Sequence, residues 1–262
     1  MFANVRNLAQ ELGCEGRFLT IGQCPAFLLV PPMRELTATK CPWVWYAPTF
    51  NGVHPNQQHR WMFEQFLTKG IAIAGVDVGE TFGSPHGTAA YSVFYEQLHT
   101  RQGMSPKPCL LPQSRGGLMH YNWASQNAER VACIAGIFPV CDLKSYPGLD
   151  KACEAYGISE DELARGLPQH NPVDRLAPLA EGGVPILHVH GDNDSVVPLE
   201  RNSGELLRRY TQLGGQMEVL VVSGRGHDFL PEFFQCQVLV DFVIRHAGRP
   251  QVRVLAENSL KQ

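Results

Sequence analysis

Short apolar runs alternate with amphipathic stretches along most of this chain. The runs have the length of buried strands, and the stretches between them carry apolar residues at helical spacing. The pattern predicts strands over residues 43–47, 71–76, 107–111, 131–140, 184–190 and 217–222, and helices over residues 57–69, 88–101 and 115–127. Near-continuous apolar strands that alternate with helices are typical of a parallel sheet covered on both faces. We therefore expect a three-layer α/β/α sandwich with a mostly parallel central sheet.

The start of the chain departs from this alternation. Residues 17–21 and 26–30 are short β-type runs separated by a Gly-Gln turn, and they predict an antiparallel pair. Pro31 and Pro32 end the second run, because proline has no N–H to continue a ladder.

A second departure lies between residues 142 and 181, where proline and glycine break the pattern into short pieces. Ser159 and Glu162 form a capping-box pattern that predicts a helix over residues 159–166. We interpret about residues 143–181 as a short cap inserted into one domain that spans residues 1–262.

Composition narrows the class of protein. The chain has 262 residues, of which 44% are hydrophobic and 18% charged, enough for a sizeable core. A net charge of −3 gives no electrostatic reason to expect nucleic acid or an anionic membrane as partner. The first residues lack a hydrophobic signal core, and no run has the length of a membrane span. These features predict a cytoplasmic protein, with export still open if residues were removed from the start.

The eight cysteines carry no C-x-x-C pair and no Cys/His cluster with metal spacing. In a chain of this length they are typical of buried thiols in a reducing compartment. His188 and His190 alternate along a predicted strand and point the same way, but no third ligand stands at a useful spacing. We expect neither a metal nor a cofactor.

The segment Pro112-Gln113-Ser114-Arg115-Gly116-Gly117 joins a predicted strand to a predicted helix. Gly116 and Gly117 let the two backbones approach, and a serine on such a sharp turn exposes its hydroxyl at the carboxyl end of the sheet. The turn also aims the Arg115 backbone N–H at a developing oxyanion. The usual pattern for this nucleophile elbow is G-x-S-x-G, and Pro112 stands where its first glycine belongs.

Two later loops supply the other groups that a serine nucleophile needs. Asp192 and Asp194 follow the predicted strand 184–190, and His227 lies in a glycine-rich loop after the strand 217–222. The order Ser, Asp, His along the chain differs from the orders of the chymotrypsin and subtilisin folds. With these three motifs, residues 16–247 resemble the α/β-hydrolase superfamily. The elbow and the Gly-Asp-Asn-Asp-Ser-Val-Val-Pro loop are similar to those of bacterial esterase-like and peptidase-like hydrolases.

The resemblance implies a catalytic triad. Ser114 would be the nucleophile and His227 its general base, with the acid of the hydrolase pattern Gly-x-x-Asp at Asp194. Asp192 lies in the same loop and is a competing acid. Asp142 is another, because some members of the superfamily carry the acid after the strand that precedes it. In the alternative reading, the Asp142 carboxylate caps a turn and has a purely structural role.

The oxyanion hole requires a second N–H donor, expected in the loop after strand 43–47. Pro48 has no N–H, so Thr49 or Phe50 is the candidate. The Arg115 side chain has two readings that stay open. It pairs with a surface acid, or it assists the oxyanion or a substrate carboxylate, as the arginine after the serine does in glucuronoyl esterases.

Residues that follow other predicted strands would line the substrate pocket. Glu80 and Phe82 are candidates in the loop after residue 78, and Asp142 is a third. The leading function is hydrolysis of a small carboxylic ester through an acyl-enzyme. The alternatives are a peptidase or amidase that uses the same triad, and a hydrolase fold reused as a non-catalytic binding protein. The oligomeric state stays open.

Overall fold

The computed structural model describes residues 2–32, 40–49 and 55–247. In these ranges eight strands form one sheet in the order β1-β2-β4-β3-β5-β6-β7-β8. The strands are β1 (Glu15–Ile21), β2 (Cys24–Val30), β3 (Trp43–Ala47), β4 (Ala72–Val76), β5 (Cys109–Pro112), β6 (Cys133–Ile137), β7 (Ile186–Gly191) and β8 (Met217–Val222).

The sheet is mostly parallel, as the alternation predicts. Strands β3 to β8 pair in parallel, while β1 pairs with β2, and β2 with β4, in antiparallel fashion. The predicted β1/β2 hairpin is confirmed, and each strand is longer than expected by two residues at its start. Every residue of the central strands β3 to β7 is buried, so both sheet faces are covered.

Helices cover the two faces. They are α1 (Ala3–Glu11), α2 (Arg60–Thr68), α3 (Pro85–Arg101), α4 (Gly116–Ala124), α5 (Leu149–Tyr156), α6 (Glu160–Arg165), α7 (Leu167–His170), α8 (Ala177–Glu181), α9 (Ser203–Gln212), α10 (Pro231–Phe234) and α11 (Gln237–Ala247). Helices α3, α4, α8 and α9 pack on one face with Trp43 and Trp45 of β3, and α1, α2 and α11 pack on the other with Val44 and Tyr46. The three-layer α/β/α architecture is confirmed.

Helices α5 to α8 lie between β6 and β7, in the segment interpreted as a cap. The predicted capping box is present: the Ser159 backbone N–H donates to Glu162 at 2.9 Å, and the Glu162 N–H donates to Ser159 Oγ at 3.3 Å. A small apolar cluster joins this segment to the elbow helix through Leu118, Val140 and Leu163. Among the described residues, none of the helices is long and apolar enough to cross a membrane.

Candidate functional site

Ser114 occupies the turn between β5 and α4 with a backbone φ of 49°, a left-handed conformation that non-glycine residues rarely adopt. Two hydrogen bonds hold the turn against the end of β6. The Ser114 N–H donates to the carbonyl of Ile137 at 3.0 Å, and the N–H of Val140 donates to the carbonyl of Ser114 at 2.8 Å. The strained turn therefore presents the half-buried Ser114 side chain at the carboxyl end of the sheet.

The two glycines after Arg115 allow this close approach. A Cβ on Gly116 would lie 2.3 Å from the carbonyl oxygen of Ala47, and one on Gly117 would lie 2.2 Å from that of Val140. Both contacts are with backbone, which cannot rotate away as a side chain does. The elbow helix thus starts tightly packed between the ends of β3 and β6.

Pro112 replaces the first glycine of the usual pattern without breaking the strand. It pairs in register with Ala47 of β3, and the Gln113 N–H donates to the Ala47 carbonyl at 2.8 Å. On the other side, pairing with β6 stops at Leu110 and resumes at Gln113. The missing N–H of Pro112 falls in this interruption.

His227 connects Ser114 to Asp194. Its Nε2 lies 2.9 Å from Ser114 Oγ, and its Nδ1 lies 2.7 Å from Asp194 Oδ2. The imidazole is 14% exposed and the Asp194 side chain is fully buried. The proposed acid, base and nucleophile therefore form one hydrogen-bonded line that opens to solvent at Ser114 and His227.

The surroundings of Asp194 keep it ionised. Burial alone would raise the pKa of Asp194, but the nearby His190 imidazole and the hydrogen bonds from His227 and the Val197 backbone N–H hold it well below its usual range. Its Oδ1 accepts the backbone N–H groups of Val196 at 2.9 Å and Val197 at 2.8 Å. Because Oδ2 then faces His227 as an ionised acceptor, the Nδ1 of His227 is the protonated nitrogen and Nε2 is free to accept the serine proton.

Phe138 shapes the site and was not singled out from the sequence. Its ring lies 4.4 Å, centroid to centroid, from the imidazole of His227, and its φ of 34° is again left-handed. The residue follows β6 directly and is fully buried. An apolar residue after an apolar strand gives no signal of such a role, because the contact joins segments that are distant in sequence.

The two competing acids do not approach His227 and are held elsewhere. Asp192 accepts the Gly224 N–H at 2.6 Å and the Ser223 hydroxyl at 3.2 Å. The Asp142 carboxylate accepts from the Lys144 N–H at 3.2 Å and the Asn171 amide at 3.1 Å, and pairs with Arg201 at 3.3 Å. These contacts correspond to the turn-capping alternative for Asp142.

Arg115 and Glu80 form an ion pair beside Ser114. Arg115 Nη1 lies 2.7 Å from Glu80 Oε2, and the guanidinium stands 5.7 Å from the ring centroid of Tyr146 in the cap segment. Burial raises the pKa of Glu80, although the hydrogen bond from Arg115 opposes the rise. Of the two readings left open for Arg115, pairing with an acid is the one that the geometry shows.

The loop that carries Glu80 also contacts the cap segment. Phe82 has a φ of 46°, and its carbonyl accepts the Tyr156 hydroxyl at 3.1 Å. Its side chain packs against the apolar cluster of Leu118, Val140 and Leu163. Glu80 and Phe82 therefore stand between the elbow and the cap segment.

The loop after β3 lies against the start of the elbow helix, since a Cβ on Gly116 would lie 2.6 Å from the nitrogen of Pro48. Thr49 is buried, with its hydroxyl 3.5 Å from the Tyr46 carbonyl. Phe50, the other candidate for the second oxyanion donor, lies outside the described residues, as does His54.

Among the described residues near this edge, only one other histidine, His190, approaches Ser114, His227 or Asp194. His59 is buried and its Nε2 lies 2.8 Å from the Gln113 side-chain oxygen, while His86 is exposed at the start of α3. His188 and His190 point the same way, as predicted, because the Nδ1 of each lies 2.8 Å from Ser203 Oγ. Within the described ranges, no cluster of three or more His, Cys, Asp or Glu residues is arranged to hold a metal ion.

No known family's sequence profile and no curated protein sequence matches this chain. Solved structures do. A puromycin-hydrolyzing peptidase from Mycobacterium tuberculosis superposes with a TM-score of 0.71 at 15% identity, covering 91% of this chain and 40% of the peptidase. Porphyromonas gingivalis dipeptidyl peptidase 4 gives 0.69 at 15% identity, with 89% and 35% covered. Est1E from Butyrivibrio proteoclasticus gives 0.63 at 14% identity, with 89% and 99% covered.

These likenesses concern the backbone. The chain has the α/β-hydrolase fold, which the sequence resemblance implied. It spans well under half the length of the peptidases it matches and nearly the whole length of Est1E. What the peptidases cleave is a property of those proteins.

Proposed function

We propose that this chain is a serine hydrolase that acts on a small carboxylic ester through an acyl-enzyme on Ser114. One observation carries the proposal. Ser114 sits on a left-handed strand-to-helix turn, 2.9 Å from a histidine that is itself 2.7 Å from a buried, ionised aspartate. Nucleophile, base and orienting acid within hydrogen-bond reach, in that order, are the arrangement that activates a serine hydroxyl.

The proposed chemistry proceeds in two halves. Ser114 Oγ attacks the ester carbonyl carbon while its proton passes to His227 Nε2, and the carbonyl oxygen becomes an oxyanion. When the intermediate collapses, the C–O bond to the alcohol breaks and the departing oxygen takes the proton from Nε2. A water then attacks the acyl carbon while its proton passes to His227 Nε2. The bond between that carbon and Ser114 Oγ breaks, Oγ takes the proton back from Nε2, and the acid is released.

The oxyanion would be bound by two backbone N–H groups. We assign one to Arg115, directly after the nucleophile, and the other to Thr49 or Phe50. The contact between Gly116 and the Ala47–Pro48 backbone supports the second assignment, because it brings the loop after β3 to the start of the elbow helix.

Glu80, Arg115 and Phe82 would form one wall of the substrate site. The Arg115–Glu80 pair is about one-third exposed and joins the elbow to the loop after β4. We propose that this ion pair and the apolar side chain of Phe82 orient the substrate against the cap segment. Asp142 has no part in this proposal, because the contacts of its carboxylate are with turn and cap groups.

The alternative substrate is a peptide or amide, which the peptidases of similar backbone favour. The same triad serves both reactions, and the two reactions differ only in the leaving group. We place the ester first because an alkoxide departs more readily than an amine, so a triad that cleaves amides also cleaves activated esters.

The experiment is covalent labelling by a fluorophosphonate probe, followed by a panel of p-nitrophenyl esters and aminoacyl anilides. We expect the wild-type protein to be labelled and Ser114→Ala to be neither labelled nor active, with its melting temperature unchanged. Ser195→Ala is the matched control, since this exposed serine lies in the loop of Asp194 and has no role in the proposal. Turnover of anilides at rates comparable to esters would favour the peptidase.

Ester turnover by Ser114→Ala near the wild-type rate would contradict the nucleophile and the whole assignment. A wild-type protein that is folded but neither labelled nor active would favour the non-catalytic binding protein instead.

A further inference from the structure

Four buried side chains connect the elbow helix to the proposed acid. The Tyr121 hydroxyl of α4 lies 2.7 Å from His188 Nε2 on β7, and His188 Nδ1 lies 2.8 Å from Ser203 Oγ at the start of α9. The same Ser203 oxygen lies 2.8 Å from Nδ1 of His190, also on β7. We call Tyr121, His188, Ser203 and His190 the buried relay.

The relay ends at the acid loop. His190 Nε2 lies 2.8 Å from the Val197 carbonyl oxygen and 3.4 Å from Asp194 Oδ2. That carboxylate oxygen is the one that lies 2.7 Å from His227 Nδ1. The far end of the relay therefore meets the proposed triad at its orienting acid.

The relay is sealed from solvent. Three of its four residues, His188, His190 and Ser203, are fully buried, and the fourth, Tyr121, is 1% exposed. Gly136 of β6 makes room for it, because a Cβ there would lie 2.5 Å from the His188 ring. Polar groups in such a place are stable only when each donor has an acceptor.

That requirement assigns the donor and the acceptor of every hydrogen bond in the relay. The Val197 carbonyl can only accept, so His190 carries its proton on Nε2, and its bare Nδ1 accepts the Ser203 hydroxyl. Ser203 has then used its one proton, so His188 Nδ1 donates to Ser203 and its bare Nε2 accepts the Tyr121 hydroxyl. Burial lowers the pKa of His188 to about 3, which keeps this imidazole neutral.

We infer that the buried relay is a positioning device for Asp194: it holds the His190 ring so that the Nε2–H, which donates to the Val197 carbonyl at 2.8 Å, lies 3.4 Å from the carboxylate oxygen that orients His227. This inference rests on the proposed function. Backbone N–H groups of Val196 and Val197 hold Oδ1, whereas within the described residues Oδ2 meets only imidazoles, His227 on one side and His190 on the other. Without the relay, Nδ1 of His190 loses its hydrogen bond, and the ring is free to tilt and to carry its Nε2–H away from Oδ2.

The test uses two variants that cut the relay without touching the triad. Ser203→Ala removes the hydroxyl that is hydrogen-bonded to Nδ1 of both histidines, and Tyr121→Phe removes only the distal donor while it keeps the ring in place. His120→Phe is the matched control. This histidine is also fully buried and lies on α4, but neither ring nitrogen has a hydrogen-bond partner in the part of the chain that the structure describes, and it takes no part in the relay.

We expect the fluorophosphonate labelling rate and kcat for a p-nitrophenyl ester to fall about tenfold in Ser203→Ala, with KM within about twofold, because a displaced polar contact to the charged Asp194 carboxylate is expected to cost about one power of ten. In Tyr121→Phe the labelling rate and kcat should fall less. The low-field proton resonance of His227 Nδ1–H should shift or broaden in both variants and stay in place in His120→Phe, since it reports the geometry at Asp194 and needs no turnover.

Labelling and kcat within twofold of wild type in Ser203→Ala, together with an unchanged resonance, would overturn the inference. Equal losses in His120→Phe would reduce the relay to ordinary core packing. If the wild-type protein is not labelled, the proposed function fails, and the resonance still decides whether the relay positions Asp194. If Ser203→Ala does not fold, Tyr121→Phe decides alone.

Discussion

At the scale of single residues, the carboxylate of Asp194 determines what His227 can do. One oxygen accepts two backbone N–H groups, and the other accepts the Nδ1 proton of the imidazole at 2.7 Å. The carboxylate is thereby fixed in rotation and kept ionised, so the imidazole presents a bare Nε2 to Ser114. The carboxylates of Asp142 and Asp192 accept hydrogen bonds from backbone N–H groups of turns and reach neither ring nitrogen of His227.

Asp194→Asn is therefore expected to reduce kcat by about 10⁴-fold, because an amide that donates toward Nδ1 imposes the wrong tautomer on His227. Asp142→Asn and Asp192→Asn are the controls, since each alters a buried or turn-capping carboxylate outside the hydrogen-bonded line. We expect both to change stability or KM and to leave kcat within about threefold, within the usual range for a lost surface or turn interaction. Steady-state kinetics on a p-nitrophenyl ester measure all three. A large loss of kcat in Asp142→Asn with a small loss in Asp194→Asn would reverse the choice of acid.

At the scale of elements, the elbow depends on how closely α4 approaches the ends of β3 and β6. Gly117 is held against the backbone of Val140, and Ser114 exchanges backbone hydrogen bonds with Ile137 and Val140. These contacts, rather than a glycine at the position of Pro112, hold the turn in its left-handed conformation. The elbow is thus a property of three packed segments.

Gly117→Ala should displace the elbow, because its Cβ would lie 2.2 Å from the Val140 carbonyl oxygen. Overpacking of this kind costs about 1–3 kcal/mol, and a shift of about 1 Å at a reacting atom can cost about 100-fold in rate. We expect a lower free energy of unfolding and fluorophosphonate labelling slowed at least tenfold.

Gly214→Ala is the control for this variant. It has a φ of 82° and no atom within 4 Å of a Cβ, so it carries only the conformational cost of about 1–2 kcal/mol. Equal labelling of Gly117→Ala and Gly214→Ala would show that the close approach does not position Ser114.

The sequence pattern predicts the layered fold and the three segments that meet at the site, because each rests on local periodicity or turn chemistry. Its limits lie at the ends of elements and in contacts between distant segments. Strand 131–140 is in fact Cys133–Ile137, since the residues after Ile137 turn away to pack Phe138 on His227. The sequence pattern does not predict helix α1, because few of its residues are apolar. In the structure only Val5, Leu8 and Ala9 of this helix are buried. Only part of the buried relay has a local signal: the alternation of His188 and His190 predicts that they point the same way, but Tyr121 and Ser203 come from two other elements.

At the scale of the whole molecule, burial strongly lowers the pKa of three fully buried histidines that lie at separate places in the described part of the fold. Burial lowers the pKa of His59 to about 4, although its hydrogen bonds with Gln113 and Asn56 oppose the fall, and burial lowers the pKa of His120 and of His188 to about 3. In the unfolded chain each titrates near its ordinary pKa of 6.5. Between pH 6.5 and about 4, the unfolded state therefore binds more protons than the folded state.

Because the folded pKa values are depressed, the stability that these histidines contribute is fully present above pH 6.5 and is lost as the pH falls toward 4. Each group contributes about 1.4 kcal/mol per pH unit, so the free energy of unfolding should fall by up to about 4 kcal/mol per unit over this window. Urea unfolding at several pH values between 5 and 6.5 measures the slope. His120→Phe removes one of the three groups and should reduce the slope by about a third, whereas Ser114→Ala removes none and should reproduce the wild-type slope. A wild-type slope near zero, or one unchanged in His120→Phe, would show that the buried imidazoles are not what couples the fold to pH.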